Sequence, residues 1–229
     1  MQSILDQETM GIITLTMQMT ITSTFISSVL GIPFGFWLAS IRPKGKIQNF
    51  LRNLIVSINR TLMGTPPVVV GLVVFLLFMR TGPFGGWGIL FTFRAMVIAQ
   101  IILITPIIAG IVCVAAQGNG GRIRSFALTM GASPFQTKLL MIKELGNEIF
   151  FAVITGFGRA MSEVGAIAIV GGNIRGLTRT MTTTIALDIN RGFRDQAIQL
   201  GIVLMVIAFL VQITADFLRN GEPVQDENF

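Results

Sequence analysis

The sequence predicts an all-α integral membrane protein with five transmembrane helices, or six if one further amphipathic segment also crosses. Of its 229 residues, 52% are hydrophobic and only 12% are charged, against about 25% charged residues in soluble domains. So few charges could not cover a water-facing surface of the usual kind. Several long stretches also lack any charge, which is the pattern of helices whose solvent is lipid. We interpret residues 1–229 as a single transmembrane domain.

Each predicted span lies between charged residues and is long enough to cross a bilayer. The spans are residues 9–41, 61–79, 95–121, 149–172 and 196–215. Pro66 and Pro67 should bend the second span or delay the start of its regular helix, because proline lacks the backbone N–H. Residues 47–58 have apolar side chains at helical spacing and form either an interfacial amphipathic helix or the wet start of the second span.

The charges predict an orientation. The N-terminus carries Asp6 and Glu8 but no basic residue, so it lacks the positive region of a cleaved signal peptide and the first helix should be retained. With five spans the N-terminus lies outside and the C-terminus inside. Ten of the 17 basic residues, including every lysine, then fall on the inside. The net charge of +6 therefore indicates membrane topology, and we expect no nucleic-acid partner.

Several kinds of site are excluded by composition. The chain has no histidine and a single cysteine, Cys113, which removes imidazole catalysis, zinc sites of the usual kind and intrachain disulfides. It has no phosphate-binding loop motif, so it should not itself bind ATP. Ser162 has no neighbouring base to activate it as a nucleophile. We therefore expect no enzyme activity, metal or cofactor in this chain.

Two charges fall near the middle of the fourth span. Arg159 and Glu163 are four residues apart, hence on one face of a continuous helix, and each would cost about 2.5–3.5 kcal/mol at the bilayer centre. They form either a buried pair that fixes packing or part of a pathway or gate, and a partner on another helix or subunit is a further alternative. Gly158, Ser162 and Ala166 would form a row of small residues that lets another helix approach closely.

Gly171, Gly172 and Asn173 end this span, and the outside loop that follows carries Arg175 and Arg179. Guanidinium and backbone N–H groups match tetrahedral oxygens, so the loop could attract an oxyanion. Equally, it could be a solvated loop that docks an acidic partner. Spacing alone leaves both interpretations open.

The inside segment of about residues 122–145 predicts two helices joined by a tight turn. Gly131 is a good helix stop. Ser133 is followed by Pro134 and, three positions after Ser133, by Gln136, which is the pattern of a capping box that opens a new helix.

This segment resembles the coupling loop of ABC importer permeases, with Ala127, Gly131, Ala132 and Ser133 matching its core. Ser125 stands where the family has glutamate, and the later Leu-Pro of the family is here Glu144 and Leu145. Residues 65–71, 82–85, 158–165 and 172–173 are similar to the permeases for sulfate, molybdate and tungstate, and the segment 171–188 is closest to tungstate permeases.

The resemblance implies the type I fold of these permeases and import of an oxyanion, tungstate or molybdate, across the plasma (inner) membrane of a prokaryote. It implies as partners a second copy of the chain, two cytoplasmic ATPase subunits that bind ATP and Mg, and an outer oxyanion-binding protein. The coupling residues would be Ala127, Gly131, Ala132 and Ser133. Pathway or gate residues would be Arg159, Ser162, Glu163 and Asn173. An ion-gradient carrier or channel without an ATPase is the alternative function.

Overall fold

The computed structural model describes residues 7–41 and 45–219, and within these ranges it contains helices, turns and loops but no β-strand. The helices are α1 Gln7–Ser40, α2 Lys46–Met63, α3 Pro67–Phe78, α4 Phe93–Thr129, α5 Pro134–Glu144, α6 Gly146–Met161, α7 Gly165–Gly171, α8 Met181–Arg191 and α9 Arg194–Arg219. A short 3₁₀ turn, Gly85–Trp87, lies between α3 and α4. The predicted all-α class is confirmed.

In the described part of the chain, α1, α4 and α9 are each long and apolar enough to cross a membrane, as the sequence predicts. The other two predicted spans are bent. α2 and α3 meet at 100°, and α6 and α7 meet at 58°, so there are up to five spans if each bent pair counts as one. The first bend lies where the sequence predicts it, because α3 begins at Pro67 with Pro66 before it.

The amphipathic segment is a helix of its own, α2. Its 100° angle to α3 favours a separate helix over a straight start to the second span. Asn59, its buried polar residue, donates a hydrogen bond from Nδ2 to the Pro106 carbonyl of α4 at 3.2 Å. Much of the rest of α2 is apolar and exposed, with Ile47, Phe50, Leu51, Leu54, Ile58 and Leu62.

The long helices α1 and α4 approach closely along a row of small residues on α1. A Cβ at Gly35 would lie 2.6 Å from the Ala109 carbonyl oxygen, and one at Gly31 would lie 3.1 Å from Ile108. Such distances leave no space for a side chain, so these glycines allow the backbones to meet. The largest apolar core lies beyond this seam, where α3, α4 and α7 pack together.

The predicted small-residue row of Gly158, Ser162 and Ala166 does not form one face, because α6 ends at Met161 and α7 begins at Gly165. Gly158 and Ser162 are exposed, whereas Ala166 is buried. The close approach in this region is made by Gly71 of α3, where an added Cβ would lie 2.7 Å from the Ala166 Cα. The prediction that these three residues share one helix face was therefore wrong, because it assumed an unbroken helix.

Candidate functional site

The two intramembrane charges meet at the break between α6 and α7. Arg159 lies in the last turn of α6, and Glu163 lies in the break itself, so the expectation of one continuous helix face was wrong. The two side chains nevertheless pair, with Arg159 NH1 2.7 Å from Glu163 Oε2. Among the described residues, Arg159 is thus paired with Glu163 of the same chain.

The environments of the two charges differ. The side chain of Glu163 is 2% exposed, while that of Arg159 is 31% exposed. Ser162, which is exposed beside them, donates to the Arg159 carbonyl at 3.1 Å. The break therefore buries the Glu163 side chain and leaves part of the Arg159 side chain and Ser162 exposed at the surface of this subunit.

Glu163 also satisfies backbone groups that the break leaves without helical partners. Its Oε1 accepts a hydrogen bond from the Ala166 N–H at 3.0 Å, in the first turn of α7. Its carbonyl accepts from the Thr182 hydroxyl of α8 at 2.8 Å. A buried polar group without a partner costs free energy, so these bonds stabilise the bend.

Gln100 of α4 contributes to the same place, although it was not among the residues predicted from the sequence. Its Nε2 donates to the Ala160 carbonyl at 2.9 Å, and its Oε1 accepts from the Ser23 hydroxyl of α1 at 2.5 Å. Both side chains are fully buried. The available signal was one amide in an otherwise apolar part of a predicted span.

Asn173, predicted with Arg159, Ser162 and Glu163, lies apart from them at the other end of α7. It has a φ of 49°, in the left-handed region, directly after Gly172 with a φ of 69°. Its Oδ1 accepts from the Thr183 hydroxyl at 3.0 Å. Asn173 therefore shapes the turn out of α7 and joins it to α8.

Arg175 and Arg179, in the loop after α7, come together on an acid at the start of α1. Arg175 Nε donates to Glu8 Oε1 at 2.6 Å, and a second bond joins Arg175 NH2 to Glu8 Oε2. Arg179 NH1 is 3.7 Å from Glu8 Oε1. The acid that the loop contacts thus belongs to the same chain, and this contact was not predicted from the sequence.

These charges line a cavity of about 420 Å³ between α1, α8 and α9. Asp188 and Arg191 of α8 also line it. Burial raises the pKa of the Asp188 carboxyl, while the nearby Arg179 and Arg191 lower it in part. The cavity is therefore polar and contains both signs of charge. Among the described residues, no group of three or more acidic, histidine or cysteine side chains is placed to hold a metal ion.

At the other predicted site, α4 ends in a Schellman motif. The Ala132 N–H bonds to the Ala127 carbonyl at 2.9 Å, and the Gly131 N–H bonds to the Leu128 carbonyl at 3.1 Å. Gly131 has the φ of 70° that this motif requires. Ser133 then begins α5 with the predicted capping box, in which the Gln136 N–H bonds to Ser133 Oγ and the Ser133 N–H bonds to Gln136 Oε1.

The surface of this helical turn is unusually apolar. Its large exposed hydrophobic side chains are Phe126, Leu128, Met130, Phe135, Leu139 and Ile142. Several large exposed hydrophobic side chains within one short segment are typical of an interface with another protein or with lipid.

Comparison with known proteins identifies the family. Residues 31–220 match the family described as the binding-protein-dependent transport system inner membrane component. The chain is 40% identical over 207 residues to the tungstate uptake system permease protein TupB of Peptoclostridium acidaminophilum, covering 90% of this chain and 88% of the relative. It is 28% identical over 215 residues to the molybdenum transport system permease protein ModB of Azotobacter vinelandii, covering 90% and 92%.

The fold has a match among solved structures. An inward-facing conformation of the MetNI methionine ABC transporter aligns with a TM-score of 0.77 at 20% sequence identity, covering 96% of this chain and 99% of the matched chain. At that identity the likeness concerns the fold alone, and it agrees with the expected importer permease fold. Because the family match spans most of the sequence, this chain belongs to the binding-protein-dependent transport system inner membrane components.

Proposed function

We propose that this chain is the membrane-spanning subunit of an ATP-driven importer that moves an oxyanion, tungstate or molybdate, into the cell by alternating access. Two copies would enclose the path, two cytoplasmic ATPase subunits would bind ATP and Mg, and an outer binding protein would deliver the oxyanion. The N-terminus would lie outside and the C-terminus in the cytoplasm of a prokaryote. The names of the relatives support the substrate class.

The observation that carries the proposal is the partly exposed Arg159 at a break in a membrane span. A charge facing lipid is costly, and intramembrane charges face the protein interior or a water-filled path. Since 31% of the Arg159 side chain is exposed on this isolated subunit, we place that side against the second subunit or the path. Arg159, Ser162 and Glu163 would then form the gate, and Asn173 would hold the far end of α7.

The arrangement of charge suits an anion that must pass and not remain. An unpaired arginine would bind a divalent oxyanion strongly in a region of low dielectric constant. Glu163, 2.7 Å away, offsets much of that attraction. Transport requires a site that is attractive enough to enter and weak enough to leave, and a paired arginine meets both conditions.

The turn between α4 and α5 would receive the ATPase. Gly131 and Ser133 give the turn a defined geometry through the Schellman motif and the capping box, with Ala127 and Ala132 joined by one of its bonds. A rigid, apolar projection can transmit closure of a docked partner to the spans. At the other face, Arg175 and Arg179 would raise the local concentration of oxyanion near the entrance.

Reconstitution tests the proposal. The chain is placed in vesicles with its ATPase, and an oxyanion-loaded binding protein is added on the side of the N-terminus. We expect uptake of radiolabelled tungstate or molybdate that requires ATP on the opposite side, and affinity measurements on the binding protein would distinguish the two oxyanions. Flux driven by an ion gradient with no ATPase present would instead establish the carrier alternative.

A further inference from the structure

We propose that Gln100 is the positioning residue that holds the break between α6 and α7 and connects it to α1. The inference rests on the proposed gate role of the break. Gln100 lies on α4 and is bonded to Ala160 and Ser23, not to Arg159 or Glu163. It would set the angle of the gate through a hydrogen-bonded link across three helices.

The Ala160 carbonyl is a hydrogen-bond acceptor at the break. In a continuous helix it would accept from the N–H of residue 164, four positions on. At the break it instead accepts from the Glu163 N–H at 3.3 Å, a longer bond over three positions. Gln100 Nε2 provides a second, shorter bond at 2.9 Å. A carbonyl has two acceptor positions, so Gln100 occupies the one that the Glu163 N–H leaves.

The other end of the Gln100 amide is bonded to α1. Gln100 Oε1 accepts from the Ser23 hydroxyl of α1 at 2.5 Å, and both residues are fully buried. An amide with both ends bonded in a dry interior has a fixed orientation, because turning it would leave a buried donor and acceptor unsatisfied. α1, α4 and the end of α6 are therefore joined through one side chain.

The bent and straight forms of the span differ in the bonds that Ala160 and Glu163 make. Straightening α6 into α7 would replace the longer bond from the Glu163 N–H with the ordinary helical bond from residue 164, so the Ala160 carbonyl would depend less on Gln100 Nε2. It would also separate Glu163 Oε1 from the Ala166 N–H, to which it is now bonded. Loss of the amide donor thus favours the straight form, and the Arg159 side chain would move with it. Gln100 would set the gate angle without touching the oxyanion.

The test uses the complete transporter in vesicles and measures oxyanion taken up per ATP hydrolysed. For Gln100→Leu we expect this ratio to fall by about tenfold, the scale on which coupling between sites is changed by single substitutions, while the ATPase continues. Asn59→Leu is the matched control, since it also removes a buried amide bonded to a carbonyl, at Pro106, away from the break. An equal loss in both variants would reduce Gln100 to a packing role.

A second variant guards against poor folding. In Gln100→Glu the protonated acid can still donate to Ala160 and accept from Ser23, whereas the ionised form can only accept. Coupled uptake by this variant should therefore decline as the pH rises through the pKa of the introduced carboxyl, in a profile that the unsubstituted protein does not show. A profile that coincides with that of the unsubstituted protein would overturn the inference.

A direct measurement separates this inference from the proposed function. Spin labels at Phe151→Cys of α6 and Ala168→Cys of α7, both exposed positions, are placed in a Cys113→Ala background and diluted with unlabelled subunits. Gln100→Leu should lengthen the distance between the labels. An unchanged distance refutes the positioning role even if uptake is lost. Absence of oxyanion uptake by the unsubstituted transporter would refute the proposed function instead.

Discussion

Glu8 accepts a hydrogen bond from Arg175 Nε at 2.6 Å and so joins the start of α1 to the loop after α7. The carboxylate offsets positive charge at the proposed oxyanion entrance. Glu8→Gln should therefore raise the initial rate of uptake, and Arg175→Ala should lower it. Both effects should shrink as salt is added, because charges at a surface are screened over about 8 Å at physiological ionic strength. Initial uptake rates at several salt concentrations provide the measurement.

The control for this experiment is Arg80→Ala, which removes an exposed arginine that lies on the outer side in the proposed orientation and does not line the cavity. It lowers the net charge by the same amount as Arg175→Ala. If both arginine variants slow uptake equally, total charge and not this loop attracts the oxyanion.

The two bends show what the sequence could predict. The bend between α2 and α3 could be predicted because Pro66 and Pro67 remove backbone donors, an effect local to those residues. The second has no proline and depends on Gln100 and Thr182, which come from α4 and α8. The position of this bend could therefore not be predicted from a local pattern. For that reason the prediction that Arg159 and Glu163 share one face of a continuous helix was wrong.

The helix cap at Ser133 and the ion pair of Glu8 show the same difference between local and long-range contacts. Gly131, Ser133 and Gln136 form the cap that their order predicts, because capping involves neighbours within a turn. The contact of Glu8 with Arg175 and Arg179 could not be predicted, since it depends on how α1 packs against the rest of the chain.

The pairing of Arg159 with Glu163 predicts unequal effects of substitution. Removing one partner of a buried ion pair lowers the free energy of unfolding by about 3–5 kcal/mol. Because 31% of the Arg159 side chain is exposed, we expect Arg159→Ala to lower it by less than this. Glu163→Gln keeps an acceptor for the Ala166 N–H and should be milder. The double variant should be more stable than Arg159→Ala alone, since no buried charge is left unpaired. Thermal unfolding in detergent measures stability, and uptake is measured alongside.

Two results would contradict this interpretation. If the effects of the two substitutions simply add, the side chains are not energetically coupled. If Arg159→Ala assembles and transports normally, the pair only fixes packing, and the gate role fails for that residue.

Asp188 predicts a dependence of stability on pH. Burial raises the pKa of its carboxyl in the folded chain, so the folded state binds the proton more tightly than the unfolded state. Its contribution to stability is therefore present at low pH and is lost as the pH rises through the folded-state pKa. Asp188→Asn stays neutral and should gain stability relative to the unsubstituted protein over that interval. Unfolding temperatures across the acidic range give the comparison, and parallel curves for the two proteins would contradict it.

Gly131 predicts a loss of coupling that comes from backbone geometry alone. Its φ is 70°, and a Cβ added there would meet no atom within 4 Å. The left-handed conformation costs about 1–2 kcal/mol for most residues with a side chain, but asparagine adopts it more readily. Gly131→Val should therefore reduce oxyanion uptake per ATP more than Gly131→Asn, with membrane insertion intact in both variants.

Gly118→Ala is the matched control for the turn, because Gly118 is also exposed and has no neighbour within 4 Å of an added Cβ, but it lies inside α4 at an ordinary helical φ. Alanine there should leave coupling unchanged and favour the helix by up to about 1 kcal/mol. Equal uptake per ATP in Gly131→Val and Gly131→Asn would mean that the turn does not need this backbone conformation. Unchanged uptake in Gly131→Val would remove the turn from the coupling route, since the strained backbone would then have no effect on transport.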